Sequence, residues 1–187
     1  MNPVLHGNLL LVDDEVSITS ALHRALRAPL GNQVKIVTCN SGKEAIAEML
    51  ARRFDVIVSD LRMPHMGGME LLATAAEIQP ECVRLILTGT ADFATAQEAV
   101  NKFGLYRYLT KPWDIEELVK HLSSALIHSA EQRAQKDQAV QWVASQGQLS
   151  AEALERHRLE SMEPGITRVE WDEHGCLVVP TSWGRLE

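Results

Sequence analysis

Five short apolar runs, each followed by an amphipathic helical pattern, constrain the first 128 residues more than any other feature of the chain. The runs occupy residues 8–13, 34–38, 54–60, 83–88 and 105–109. They are too brief for helices, and most are apolar at consecutive positions, as in strands buried on both faces of a parallel sheet. The helical patterns cover approximately 15–28, 41–51, 67–78, 92–101 and 113 onward. Ser41 precedes Glu44 by three positions and Asp114 precedes Glu117 by three, the spacing of a capping box at a helix start. Strict alternation of strand and helix implies right-handed crossovers and a doubly wound α/β fold. In such folds the chemistry sits at the carboxyl ends of the strands.

Composition narrows the class. The chain has 187 residues, enough for one domain and an appendage, and its 45% apolar content is ordinary for a globular protein. No apolar run approaches the ~18 residues of a membrane span, and the N-terminus lacks the pattern of a secretory signal, so a cytoplasmic protein with no membrane partner is expected. Cys39, Cys82 and Cys176 are odd in number and widely spaced. They suit neither a disulfide framework nor a metal cage, and are read as free, mostly buried thiols. The formal charge is −7, and residues 129–187 carry six Lys/Arg against ten Asp/Glu. That balance argues against a nucleic-acid partner.

The strand ends carry the chemistry. The first run closes on Asp13-Asp14, the third on Asp60 and the fourth on Thr88, while Lys111-Pro112 follows the fifth. Carboxylates converging on one edge repel unless a cation joins them, and Mg²⁺ suits one or two carboxylates plus waters and a phosphoryl oxygen. A carboxylate is also a nucleophile toward phosphorus, giving an aspartyl phosphate. A metal and a fixed ammonium would neutralise the charge that develops during transfer. Thr88 offers a hydroxyl to a phosphoryl oxygen. Taken singly, the acidic pair is a helix cap, Asp60 a turn residue and Lys-Pro a loop. Their joint placement on one edge is what carries weight.

At these positions the sequence resembles the receiver domains of two-component response regulators. Asp13-Asp14, Asp60-Leu-Arg-Met-Pro64, Gly67-Gly68, Thr88-Gly-Thr90, Tyr108 and Lys111-Pro112 fall in the family's order, over roughly residues 5–128. The resemblance implies a flavodoxin-like five-stranded parallel sheet of order 2-1-3-4-5. It implies a phosphoacceptor at Asp60, fed by a histidine kinase, and Mg²⁺ held by Asp13, Asp14, Asp60 and the backbone carbonyl of Arg62. Lys111 would pair with the acceptor carboxylate across a cis peptide to Pro112. Thr88 and Tyr108 would form the switch, moving toward the phosphoryl group and inward respectively. Arg62 and Thr90, two residues beyond the acceptor and the switch Thr, would tune the phosphoryl lifetime. The face built from residues 92–128 would be the output surface, engaging a second copy or a protein partner. Tyr106 is expected on the opposite sheet face from Tyr108.

The resemblance stops near residue 128. The last helix is expected to continue to about 145, with Ile115, Leu118, Leu122, Ala125, Ser129, Gln132, Lys136, Ala139 and Val143 as a seam apolar at both ends and polar in the middle. Such a seam supports at best a weak coiled coil, and a solvated helix fits it nearly as well. A second helix from Ser150 to about Met162 and a hairpin of 166–171 with 176–179 are expected beyond it. This divides the chain into a receiver (1–128), a helical extension (129–163) and a hairpin tail (164–187). His121, His128, His157 and His174 are scattered and read as surface residues. The receiver segment is similar to those attached to ATPase transcription activators and HD-type phosphodiesterases, so both a stand-alone regulator and a link to a further output domain are open. A metal-dependent phosphohydrolase using Asp60 is the competing function. The haloacid dehalogenase family usually places a second Asp two residues after the first, and Arg62 stands there, so a non-enzymatic switch is preferred.

Overall fold

The computed structural model describes residues 5–89, 104–146, 150–162, 170–171 and 177–178. Five parallel strands form one sheet: β1 (Gly7–Val12), β2 (Val34–Cys39), β3 (Val56–Asp60), β4 (Val83–Gly89) and β5 (Arg107–Lys111). Their order is β2-β1-β3-β4-β5. The helices are α1 (Val16–Leu30), α2 (Gly42–Ala51), α3 (Gly68–Ile78), α4 (Ile115–Ser145) and α5 (Ala151–Met162). The helix expected over 92–101 lies outside the described residues.

The sheet has a core on each face, and β1 shows why its run reads as continuous. Leu9 and Leu11 pack with Leu22 and Leu26 of α1 and Leu118, Leu122 and Leu126 of α4. Leu10 and Val12 face the other way, toward Ala45 and Met49 of α2 and Leu71 and Leu72 of α3. Burying each such leucine contributes about 1.5–3 kcal/mol, so alternate residues hold opposite helical layers onto one strand.

Local signals placed most helix starts correctly. Ser41 Oγ accepts from Glu44 N at 3.2 Å, and the Glu44 carboxylate reaches back to Asn40 N at 2.7 Å. Asp114 Oδ1 accepts from Glu117 N at 2.9 Å, but the Glu117 carboxylate turns to His121 instead of closing the box. Several boundaries differ from the sequence reading by one or two residues, and two of them have a visible cause. Helix α1 runs through Pro29 to Leu30, because the proline φ is helix-compatible and Leu30 is buried; Gly31, at φ 81, ends it. Strand β5 begins at Arg107, two residues late. Leu105 is consumed as a buried anchor ahead of the strand, and Tyr106 sits with its ring stacked on His128 at 5.2 Å between centroids.

The extension also departs from expectation. Leu118, Leu122, Ala125 and Ser129 of α4 are buried against the sheet, and Lys136 pairs with Glu81. The first half of the supposed coiled-coil seam is therefore the receiver's own packing face. His157 of α5 meets Asp137 of α4 at 3.1 Å. His121 and His128 are partly buried and engaged with Arg107 and Tyr106 respectively, so they are not free surface residues. Glu170–Trp171 (β6) and Leu177–Val178 (β7) pair antiparallel, while His174, Cys176 and Trp183 lie outside the described residues. No helix among the described residues is long and apolar enough to cross a membrane.

Candidate functional site

The parallel register brings the carboxyl ends of β1, β3 and β5 to one edge, and the side chains there meet. Asp13 follows β1 and is 2% exposed; Asp60 closes β3 and is 8% exposed. Lys111 closes β5 opposite Gly89 of β4, and its peptide bond to Pro112 is cis. The Lys111 ammonium donates to Asp13 Oδ2 at 2.7 Å and also to Asp60 Oδ1. One cation thus bridges two largely buried carboxylates and offsets their mutual repulsion. Burial works against the ammonium, but its hydrogen bonds to Asp13 and Asp60 and their charges prevail, and the Lys111 pKa is raised.

Each carboxylate is oriented by backbone. Asp13 Oδ1 accepts from Glu15 N at 3.0 Å, and Asp60 Oδ2 accepts from Arg62 N at 2.6 Å. Behind them, Asn40 Nδ2 donates to the Asp13 carbonyl at 2.9 Å and to Thr19 Oγ1 at 3.1 Å. Ser59 Oγ donates to the Asp60 carbonyl at 2.8 Å. These supports fix the rotamers that precise positioning needs. A pocket of about 260 Å³ opens over them, lined by Asp13, Asp14, Glu15, Asp60, Arg62 and Lys111 among others.

Sequence reasoning treated Asp13 and Asp14 as equals, whereas the first is buried and the second exposed. Thr88 is wholly buried, its hydroxyl donates to the Gly89 carbonyl at 3.2 Å, and it does not line the pocket. Tyr108 lies in a separate cleft of about 570 Å³ with Trp113 and His121. Thr90 lies outside the described residues. Glu15, Asn40 and Ser59 were missed. Only their adjacency to the acidic strand ends signals them, and Asn40 directly follows the neighbouring β2.

Among the described residues no three acid, histidine or cysteine side chains converge into a ready-made metal cage. The donor set still fits a hard ion that keeps much of its water. Two buried carboxylates, Asp13 and Asp60, line the pocket with the exposed carboxylates of Asp14 and Glu15 beside them, and all their donor atoms are oxygens.

A doubly wound sheet whose β1 and β3 acids are joined by a β5 lysine defines a class of α/β domain with its chemistry gathered at the strand carboxyl ends. Comparison with known proteins makes the particular family plain. The chain belongs to the response regulator receiver domain family, whose model matches residues 9–123, and it is a receiver of the two-component type. It is 35% identical over 120 residues to the hydrogenase transcriptional regulatory protein HoxA of Cupriavidus necator, covering 64% of this chain and 24% of that protein. It is 35% identical over 127 residues to the DNA-binding transcriptional regulator NtrC of Salmonella typhimurium, covering 68% and 26%. The chain therefore spans about a quarter of the length of these relatives. Among solved structures, it is similar to the signal receiver domain of an HD domain-containing protein from Pseudomonas fluorescens Pf-5, at 32% identity and TM-score 0.62, covering 67% of this chain and 98% of that one.

Proposed function

We propose that this receiver accepts a phosphoryl group on Asp60 from a histidine kinase and in doing so changes the protein contacts it makes. The observation that carries the reading is the Lys111 bridge between Asp13 and Asp60 at the pocket floor. An Asp60 carboxylate oxygen forms the O–P bond as the P–N bond to the kinase's phosphohistidine breaks, and the imidazole leaves with a proton. Lys111 stays beside the acceptor and pairs with the arriving phosphoryl oxygens. Asp13, Asp14, Asp60 and the Arg62 carbonyl would hold Mg²⁺, which when bound supplies positive charge against those oxygens.

The phosphoryl group carries nearly two negative charges and three acceptor oxygens where the free carboxylate carried one charge, so the edge gains about one negative charge. Thr88 would have to exchange its bond to the Gly89 carbonyl for one to the phosphoryl group, and Tyr108 would follow. That is a population shift between two side-chain arrangements at the ends of β4 and β5. Arg62 at the pocket rim, with Thr90, would tune hydrolysis. The domain division at 128 and 163, a cytoplasmic setting, and output by dimerisation or partner docking through the 92–128 face and the tail belong to the same proposal. Arg62 also occupies the position where a hydrolase of the competing kind would need its acid, which keeps the switch reading ahead.

The test is intact mass after incubation with Mg²⁺ and acetyl phosphate, with light scattering on the same protein bearing beryllofluoride. The wild type should gain one acid-labile phosphoryl group and Asp60→Asn none. Phosphorylation that survives Asp60→Asn, or none in either protein, would overturn the assignment.

A further inference from the structure

The end of the sheet opposite the acidic pocket holds a second set of charges that the phosphoacceptor chemistry does not use. Asp55, directly before β3, is buried, with its side chain only 4% exposed. Its Oδ2 accepts from Asn8 N at 2.6 Å, while its buried Oδ1 makes no hydrogen bond and faces the Arg133 guanidinium of α4 as an ion pair. One turn further along the same helix face, Lys136 pairs with Glu81, which also holds Arg53. Gly7 makes room for this arrangement, since a β-carbon there would press on the Asp55 carboxylate and on Leu126 of α4.

These links continue the face that packs on the sheet. Leu118, Leu122, Ala125 and Ser129 are buried, and Arg133 and Lys136 follow at helical spacing. Where the apolar contact surface ends, ionic contact takes over. Burial and then the nearby Arg53 charge lower the Arg133 pKa, as expected of a cation partly withdrawn from water. A buried carboxylate left without its counter-charge is strongly unfavourable, so this pair resists opening in a way that an exposed one does not.

We infer that Asp55 and Glu81 form an intramolecular docking surface that latches the extension of α4, fixing the direction in which the chain beyond residue 129 leaves the receiver. The latch grips β3 at the end remote from Asp60, five residues away along the strand. It stands whether or not Asp60 is the phosphoacceptor. While it is closed, the seam through Ser129 and Lys136 is occupied by the chain's own receiver and is withheld from a second copy.

Hydrogen exchange on the full chain tests this, comparing wild type with the double variant Arg133→Ala, Lys136→Ala. Both substitutions lie on a helix surface and keep helix propensity high. Exchange over residues 130–145 should rise at least about tenfold, the signature of lost local protection, with α1 and β1–β4 unchanged. Spin labels at the exposed positions Ser20 and Gln141 should give a narrow distance distribution in wild type and a broad one in the variant. Asp55→Asn, which keeps an acceptor for Asn8, should reproduce the local effect. Unchanged exchange at 130–145 overturns the latch. So does a uniform rise across the receiver, which would make Arg133 a determinant of global stability instead.

Discussion

The carbonyl oxygen of Asp60 occupies the space that a β-carbon at position 68 would need. Gly68 is the first residue of α3, and its N–H donates to the Leu61 carbonyl at 3.0 Å, so the helix start is clamped onto the strand end that carries the site. The obstacle is backbone, not a flexible side chain, and it cannot step aside. Gly68→Ala should destabilise the fold by about 1–3 kcal/mol, the usual cost of overpacking, and should slow phosphorylation of Asp60. Denaturant midpoints and phosphorylation rates measured side by side check both. A variant with unchanged midpoint would show that the clamp yields.

His65 presents the opposite case. It sits at φ 68, and Met66 N donates to the Pro64 carbonyl at 2.8 Å across it, a tight turn that a side-chain-bearing residue adopts at a cost. The left-handed region costs about 1–2 kcal/mol for such a residue, and glycine loses about 0.5–1 kcal/mol of backbone freedom on folding. His65→Gly should therefore stabilise the protein by up to roughly 1.5 kcal/mol. A lower urea midpoint would mean that the imidazole makes a contact worth more than the strain.

What could be read in the sequence divides along a physical line. Asp13, Asp60 and Lys111 were legible because strand ends are marked by the switch from apolar to charged residues, and parallel topology sends all those ends to one edge. Asp55 and Glu81 were not, although they are equally charged, because the amino ends of strands carry no comparable rule and their partners stand some eighty and fifty-five positions away. The seam of α4 misled for a related reason. Spacing shows that a helix has a packing face but not whether its own sheet or another chain covers it. Thr88 was placed correctly at the end of β4, yet its hydroxyl direction depends on a rotamer that no pattern encodes.

Cys39 and Cys82 are buried and free. Burial, then the Glu44 and Glu48 carboxylates, pushes the Cys39 thiol up to about 12; burial pushes Cys82 to about 12 as well. Thiolate is the nucleophile, so at about pH 8 neither should react appreciably with iodoacetamide in the native protein. Peptide mass mapping should find both unmodified under native conditions and both alkylated in urea. Native labelling of Cys82 would mean that the β4 end of the core opens far more often than its packing allows.

The Lys111 bridge makes stability depend on alkaline pH in a definite sense. Its folded pKa is raised above 10.5, so the folded state holds the proton more tightly than the unfolded chain does. The resulting stability is fully present below the unfolded value, ~10.4, and is lost as pH rises through the higher folded value. The thiols of Cys39 and Cys82, raised from 9.0 to about 12, act in the same direction, so a decline above pH 9 alone would not identify the lysine. Lys111→Met removes one contribution and leaves the thiols in place. Urea midpoints between about pH 9 and 11.5 should fall more steeply for the wild type than for Lys111→Met, with the gap opening near the upper end. Parallel curves would mean that Asp13 and Asp60 do not hold the Lys111 proton, and that the bridge at the pocket floor is weaker than its geometry implies.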